Sequence, residues 1–403
     1  MKTTLTIFTL IILNLSLLSQ WQLTAGTGTA YGNTLYCVGD TVFAGTDFGA
    51  YKTTNNGNTW ITINNGFNTY RKIYDFTYSE GKLWSGNDGS GLYFSLNHGE
   101  NWIREYSASF TRVYSVAASN QYVLASNGTY VYYTTNLGAN WIIMDGGTEP
   151  WGEGGIAIDN NYVYAADFEG IYVSFLGGTS WTRINGNLTG NSKDVDEIRF
   201  ANNKLYIATK GGVWSSSNNG TTWENLNPSW TNTSLWALSV IKSNIFVATN
   251  SSKIYLSTND GTNWSDVSIG LPANIGIDEI VCNSTHAFAM VYQTGAVYRR
   301  PLSELIGIQP ISTEIPKQFS LSQNYPNPFN PVTNINFDVK EKGLVKLAVF
   351  NSIGQEIAVI VNQELSPGTY KADWNGTNSP SGVYYYKITA GDFSETKKMI
   401  LVK

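Results

Sequence analysis

The chain has 403 residues, a formal net charge of −5 and a pI near 5.2, with 14% charged and 14% aromatic side chains. An ordinary globular protein carries roughly 25% charged residues. Few charges with many aromatics exclude a disordered chain and a coiled coil, and the acidic balance leaves no general footprint for nucleic acid. The 39 Gly beside 13 Trp and 25 Tyr suggest an all-β chain with many tight turns.

The first element is an apolar run from Leu5 to Leu18 behind Met1 and Lys2. It is too short to cross a bilayer and suits a cleaved export signal over residues 1–19, with Gln20 as the new start. No Cys ends this segment, so a lipid anchor is not expected.

An eight-residue pattern then recurs: Ser or Thr, any, Asn or Asp, any, Gly, any, any, Trp. It is carried by Asn55, Gly57 and Trp60, by Asn97, Gly99 and Trp102, and by Asn136, Gly138 and Trp141. A degenerate copy has Leu176 at the Asn position, before Gly178 and Trp181. Asn218, Gly220 and Trp223, then Asn259, Gly261 and Trp264, close the series. The steps between Trp residues are 42, 39, 40, 42 and 41, the period of a four-stranded propeller blade. Physically, each copy reads as a hairpin turn. Asn accepts backbone N–H groups two residues on, Gly supplies a positive φ, and Trp fills an apolar gap.

The ends of the array suggest how it closes. Trp21 lies 39 residues before Trp60 but follows no such turn. Residues 279–282, 286–289 and 296–298 read as three strands of a blade with no Trp. One split blade accounts for both, with its outer strand from residues 21–24. Six complete blades and one split blade make seven. This array resembles the Asp-box, or BNR-repeat, seven-bladed propellers, among them sortilin-like exported propellers and photosystem assembly-factor propellers. The resemblance spans residues 20–308. It implies that the boxes are structural and lie away from the usual ligand face.

A different module follows. All seven Arg lie between positions 71 and 300. Residues 20–308 carry 15 basic and 22 acidic side chains, whereas residues 309–403 carry 9 Lys and 8 acids. Residues 309–318 read as a linker. Pro326, Pro328 and Pro331 then force an extended path. Alternating strands over 334–339, 345–350, 356–360, 369–374, 383–388 and 396–402 suggest a small Ig-like β-sandwich over 319–403. Residues 325–329, Pro367, Gly368, Tyr370, Trp374, residues 381–385 and the stretch from Lys397 to Lys403 resemble the C-terminal sorting domain of the type IX secretion system. The resemblance implies passage through the periplasm and across the outer membrane to the surface or medium, with the secretion machinery as partner of residues 319–403.

Catalytic signatures are absent: there is no nucleophile elbow, P-loop, GxGxxG unit or HExxH. Two Cys and two His lie scattered, so no metal and no cofactor is expected. Cys37 and Cys282 fall at matching repeat positions in neighbouring blades, which leaves both a disulfide and two buried thiols open. A sialidase would need an Arg triad, for which Arg71, Arg112 and Arg199 are the available set, but the Arg-Ile-Pro start is missing. Asp194, Asp196 and Glu197, and Asp278 and Glu279, are adjacent acids of the kind glycoside hydrolysis uses when paired in space.

Ligand contact is expected on the rim opposite the boxes. The loops entering each first strand bring Tyr70, Arg71, Arg112, Trp151, Glu153, Asp194 and Trp230 there, and the loops joining second to third strands bring Asp167 and Lys210. Aromatic platforms beside charges suit a glycan or a protein ligand. The expectation is a surface or secreted propeller that binds without catalysis. A polysaccharide-acting hydrolase or lyase is the alternative, and a structural or adhesion component the third reading.

Overall fold

A computed structural model describes residues 20–27, 31–68, 72–106, 110–144, 146–147, 155–230, 233–305, 308–312, 314–365, 367–376 and 379–403. The expected signal at 1–19, and Tyr70, Arg71, Trp151 and Glu153, lie outside the described residues.

Nearly all regular structure is β. Among the described residues, helix is confined to Leu302–Leu305 and two short 3-10 turns, Gly190–Lys193 and Pro228–Trp230. No helix among them is long and apolar enough to cross a membrane.

Consecutive strands pair antiparallel into small sheets, as in Gly32–Val38, Thr41–Thr46, Gly49–Thr53 and Ile61–Thr62. Equivalent sheets begin at Ile73–Ser79, Ser115–Ser119, Ile156–Ile158, Val195–Ala201 and Leu235–Ile241. The one starting at Ile156–Ile158 carries a fifth strand, Gly146–Gly147, parallel to Ser180–Arg183. A further sheet joins the two ends of the array. Ile277–Cys282, His286–Val291 and Val297–Pro301 are completed by Gln22–Leu23, with Gln22 opposite Arg299 and Leu23 opposite Tyr298. The first strands of all these sheets line one cavity, so the sheets surround a common channel and the fold is propeller-like.

Burial explains the strand composition. Second strands are covered on both faces by neighbouring sheets and read as continuous buried runs, such as Val42, Phe43 and Ala44, or Val163, Tyr164 and Ala165. The cores therefore lie between sheets, as where Phe43 meets Phe76 and Phe76 meets Trp102.

The repeated turn is built differently from the sequence expectation. Asn55 Oδ1 accepts from the N–H of Thr59, four residues on rather than two. The hydroxyl of Thr53 accepts from Gly57 N–H at 2.9 Å and from Asn55 N–H at 3.3 Å. Ser95, Thr134, Ser216 and Ser257 repeat this bond to the glycine N–H. Positive φ is needed at two adjacent residues, 56° at Asn56 and 80° at Gly57. The copy with Leu176 has no acceptor at the Asn position and closes by Gly178 N–H donating to the Phe175 carbonyl at 2.8 Å.

Several box tryptophans tie their sheet to the one before. Trp102 Nε1 donates to Ile63 O, Trp223 to Ile184 O and Trp264 to Leu226 O, at 2.7, 2.9 and 3.0 Å. Trp21 continues the series, donating to Val267 O at 2.8 Å with 2% of its surface exposed.

Residues 308–401 form two four-stranded sheets sharing one core of Phe337, Leu347, Tyr386 and neighbours. Ile308–Ser312, expected as the start of a linker, is instead a strand paired with Gly368–Asn375. It accommodates a proline because it is an edge strand, with a register shift between Pro310 and Ser312.

Candidate functional site

The channel mouth is shaped by one repeated irregularity. Five of the first strands carry a β-bulge near their start, with the extra residue at Asn33, Tyr74, Asp196, Trp236 and Asp278. A bulge sets two residues against one and re-aims a side chain. All five extra residues line a cavity of about 390 Å³, shared with Tyr114 and Tyr292. Below it lies a second cavity of about 400 Å³, lined by every first strand and including Tyr36, Cys37 and Cys282.

Carboxylates beside the bulges stitch one sheet to the next. Asp75 Oδ2 accepts from Val116 N–H at 2.9 Å, and Glu197 accepts from Leu238 N–H. First strands are edge strands, so these side chains satisfy backbone donors that have no ladder partner. Glu279 turns across the channel instead. Arg199 Nη2 lies 3.4 Å from Glu279 Oε2 and also contacts Glu197. Glu197 and Glu279 are 6% and 8% exposed, whereas Arg199 keeps accessible surface because it lines both cavities.

Burial raises the pKa of every one of these acids. Asp75 is pushed up to about 6 and Glu197 to about 7, in each case with the Arg199 charge opposing. Glu279 rises well above its ordinary value, through burial and then the Glu197 charge. Asp196 reaches about 6, with Lys210 opposing, and Asp278 reaches about 8, through burial and then the Glu279 charge.

The rim expected from sequence holds cations that are already engaged. Arg112 Nε lies 2.6 Å from Asp88 Oδ1, and Lys210 Nζ lies 2.6 Å from Asp194 Oδ2. Asp167 is buried, and its Oδ1 accepts from Glu169 and Gly170 N–H to close a hairpin. Trp230 packs at 4.7 Å from Tyr255 and 5.1 Å from Trp264. Asp194 and Lys210 thus meet each other near Asp196, while Asp167 and Trp230 hold structure. Cys37 and Cys282 are both free, and burial pushes the Cys37 thiol up to about 12.

Asp75, Tyr74 and Tyr292 were not singled out from sequence. The signal was available: positions 33, 74, 114, 196, 236 and 278 recur at steps of 41, 40, 82, 40 and 42 residues. That column is polar or aromatic where a first strand should be apolar. Among the described residues, no group of three or more His, Cys, Asp or Glu is placed to hold a metal ion.

Comparison with known proteins agrees with the two-part organisation. Residues 157–295 match the DUF6242 beta propeller domain, and residues 323–403 match the secretion system C-terminal sorting domain. No curated protein matches the chain. Among solved structures, YCF48 bound to D1 peptide is 16% identical with a TM-score of 0.57, over 70% of this chain and 94% of that one. YCF48 from Cyanidioschyzon merolae is 13% identical with a TM-score of 0.54, over 70% and 98%. The extracellular domain of the putative hybrid two component system BT4673 from B. thetaiotaomicron is 14% identical with a TM-score of 0.56, over 96% of this chain and 60% of that one. At these identities the likeness shows the fold alone. The chain therefore joins a β-propeller domain to a sorting domain of the type IX route, which implies export to the outer-membrane surface or beyond.

Proposed function

We propose that the chain is an exported seven-bladed Asp-box propeller, residues 20–308, that captures a glycan or protein at the channel mouth without chemistry. In this reading residues 1–19 are a cleaved signal. Residues 319–403 are an Ig-like sorting domain read by the type IX machinery after passage through the periplasm. The carrying observation is the set of bulges that turn Tyr74, Asp196, Trp236 and Asp278 into one mouth. Bulged strands give up ladder pairing, and ligand pockets combine aromatic walls with a few convergent polar groups. A structurally similar chain, YCF48, is described with a bound peptide, which is in keeping with a protein ligand. The test is a screen of the chain against glycans and surface proteins, with Trp236→Ala beside it. A ligand that depends on Trp236 supports the reading. Ligands indifferent to Trp236 overturn the mouth as the site.

A second reading, polysaccharide hydrolysis, is favoured by one observation: Glu197 and Glu279 approach the same Arg199 nitrogen. Such a pair has the raised pKa of a general acid. Against it, the guanidinium fills the gap that a water or sugar would need. Polysaccharide cleavage abolished by Glu197→Gln or Glu279→Gln would establish this reading instead.

A further inference from the structure

The mouth contains its own template for a ligand. On one side, Lys72 Nζ sits 5.1 Å from the Tyr74 ring centre and 3.0 Å from Asp47 Oδ1. Beside it, Arg112 lies 5.6 Å from the Tyr114 ring centre, bonds Tyr114 Oη at 2.8 Å and pairs with Asp88. Arg183 repeats the arrangement away from the mouth, over Tyr172 and beside Glu169. Each unit joins a cation, a ring and a carboxylate.

Across the mouth the same unit lacks its cation. Trp236 and Tyr292 meet edge to face at 5.6 Å, and Asp278 and Asp196 line the same cavity. Among the described residues, Asp278 has no ion pair or hydrogen-bond partner, and Asp196 Oδ2 is buried without one. Lys210, the nearest base on the Asp196 side, is held by Asp194 at 2.6 Å. Arg199 lines the same cavity, and Lys72 and Lys210 act on the two acids at longer range, but among the described residues no cation pairs with Asp278 or Asp196.

We propose that this half of the mouth takes a basic side chain, arginine or lysine, projecting from an extracellular protein partner. The inference rests on the binding reading above and names its ligand class. A guanidinium or ammonium over Trp236 and Tyr292 gains a cation–π contact in a partly desolvated site. Its N–H groups supply the donors that Asp278 and Asp196 lack, and charge-assisted bonds of this kind are the strong ones. A metal ion fits less well, because no three ligating groups converge among the described residues. A neutral sugar would leave the ionised Asp196 without a counter-charge and the two rings without a cation.

The proton inventory gives a signature. Asp278 faces Glu279 and Lys72, while Asp196 faces Asp194 and Lys210. Asp75, Glu197 and Arg199 lie below them in the same channel. With its value near 8, Asp278 is largely protonated at neutral pH. An arriving cation ionises it, and the proton passes to the buffer. Apparent affinity therefore rises with pH, by up to about tenfold per unit below 8, and flattens above.

The experiment is calorimetric titration of the full chain with N-acetyl-arginine methylamide, the lysine analogue and the neutral citrulline analogue, in two buffers of different ionisation enthalpy. The expected result is saturable binding of a cationic probe with proton release, and at least about tenfold weaker citrulline binding. Asp278→Asn should remove the proton release, and Asp278→Asn and Asp196→Asn should each weaken binding by a similar factor with the melting temperature kept. Proton release from the unaltered chain keeps the test decisive should a variant fold poorly. Equal binding of citrulline, or no saturable binding of either cationic probe, overturns the inference. A Trp236-dependent ligand found in the screen above, with no cationic probe bound, would leave the binding reading standing and this inference rejected.

Discussion

Arg199 Nη2 reaches Glu279 Oε2 at 3.4 Å, although their strands, Val195–Ala201 and Ile277–Cys282, belong to sheets separated by a third. The same nitrogen contacts Glu197 on its own strand. One cation thus ties distant parts of the ring across the channel rather than around it.

Removing that cation should destabilise the propeller in a pH-dependent way. In Arg199→Met, Glu197 and Glu279 face each other uncompensated, and breaking a buried pair costs about 3 kcal/mol or more. At pH 8 Glu197, with its value near 7, is largely ionised and feels this cost. At pH 5 the Glu197 carboxyl is already protonated and the loss shrinks. Denaturant titration of both proteins at the two pH values checks this. An equal loss at both would assign the role of Arg199 to packing.

The unaltered chain should be more stable in mild acid than at pH 8. Asp75 and Asp196 near 6, Glu197 near 7 and Asp278 near 8 all lie above the roughly 4 of unfolded carboxyls. Between pH 4 and 8 these four acids bind more protons in the folded state than in the unfolded one and stability falls as pH rises through that window, with His286, lowered by burial, opposing them in part. Asp266, lowered despite burial by its bonds to Lys253 and Ser268, acts oppositely and only at lower pH. Calorimetric melts should show the propeller transition falling from pH 5 to 8.5, with a shallower fall in Asp278→Asn. A rise over that range would contradict the assignment.

The period of about forty residues was legible because one turn and one Trp recur six times along the chain. The closing strand was legible from Trp21 falling on the same grid, and its indole does make the box tryptophans' bond to the preceding sheet. The channel was not legible. Adjacent acids such as Asp196 and Glu197 look alike in sequence, and only the bulge between Val195 and Glu197 separates them. It sends Asp196 to the mouth without a partner for Oδ2 and leaves Glu197 to bond the next sheet. Arg112 and Lys210 were expected on the rim, and their pairing with Asp88 and Asp194 depends on loop geometry that residue identity does not carry.

Two box tryptophans should respond differently to the same substitution. Trp102 Nε1 donates to Ile63 O at 2.7 Å, so Trp102→Phe strands a carbonyl between sheets and costs about 1–3 kcal/mol beyond the lost ring area. Trp141 Nε1 is buried with no partner among the described residues. Trp141→Phe removes an unsatisfied donor and should cost at least about 1 kcal/mol less than Trp102→Phe. Urea midpoints of the two variants against the parent decide it. Equal losses would mean that ring volume outweighs the indole bond.

The N-terminal strand should act as a separable clasp. Trp21 N–H donates to Ile269 O at 2.8 Å, and Gln22 and Leu23 pair with Arg299 and Tyr298. Thr24 Oγ1 donates to Val297 O and accepts from Trp60 Nε1, joining the first sheet of the array to the last. A chain beginning at residue 25 would leave Val297–Pro301 as an open edge, which invites pairing with another chain. It would also lose the Trp21 plug, a deletion on the scale of about 3–5 kcal/mol. Such a chain should melt lower and self-associate, and a synthetic peptide of residues 20–31 added in trans should restore both properties. The same peptide with Trp21→Ala should restore neither. Sedimentation and melting with each peptide distinguish the outcomes, and a truncated chain that stays monomeric with its melting temperature kept would show that the ring closes without this strand.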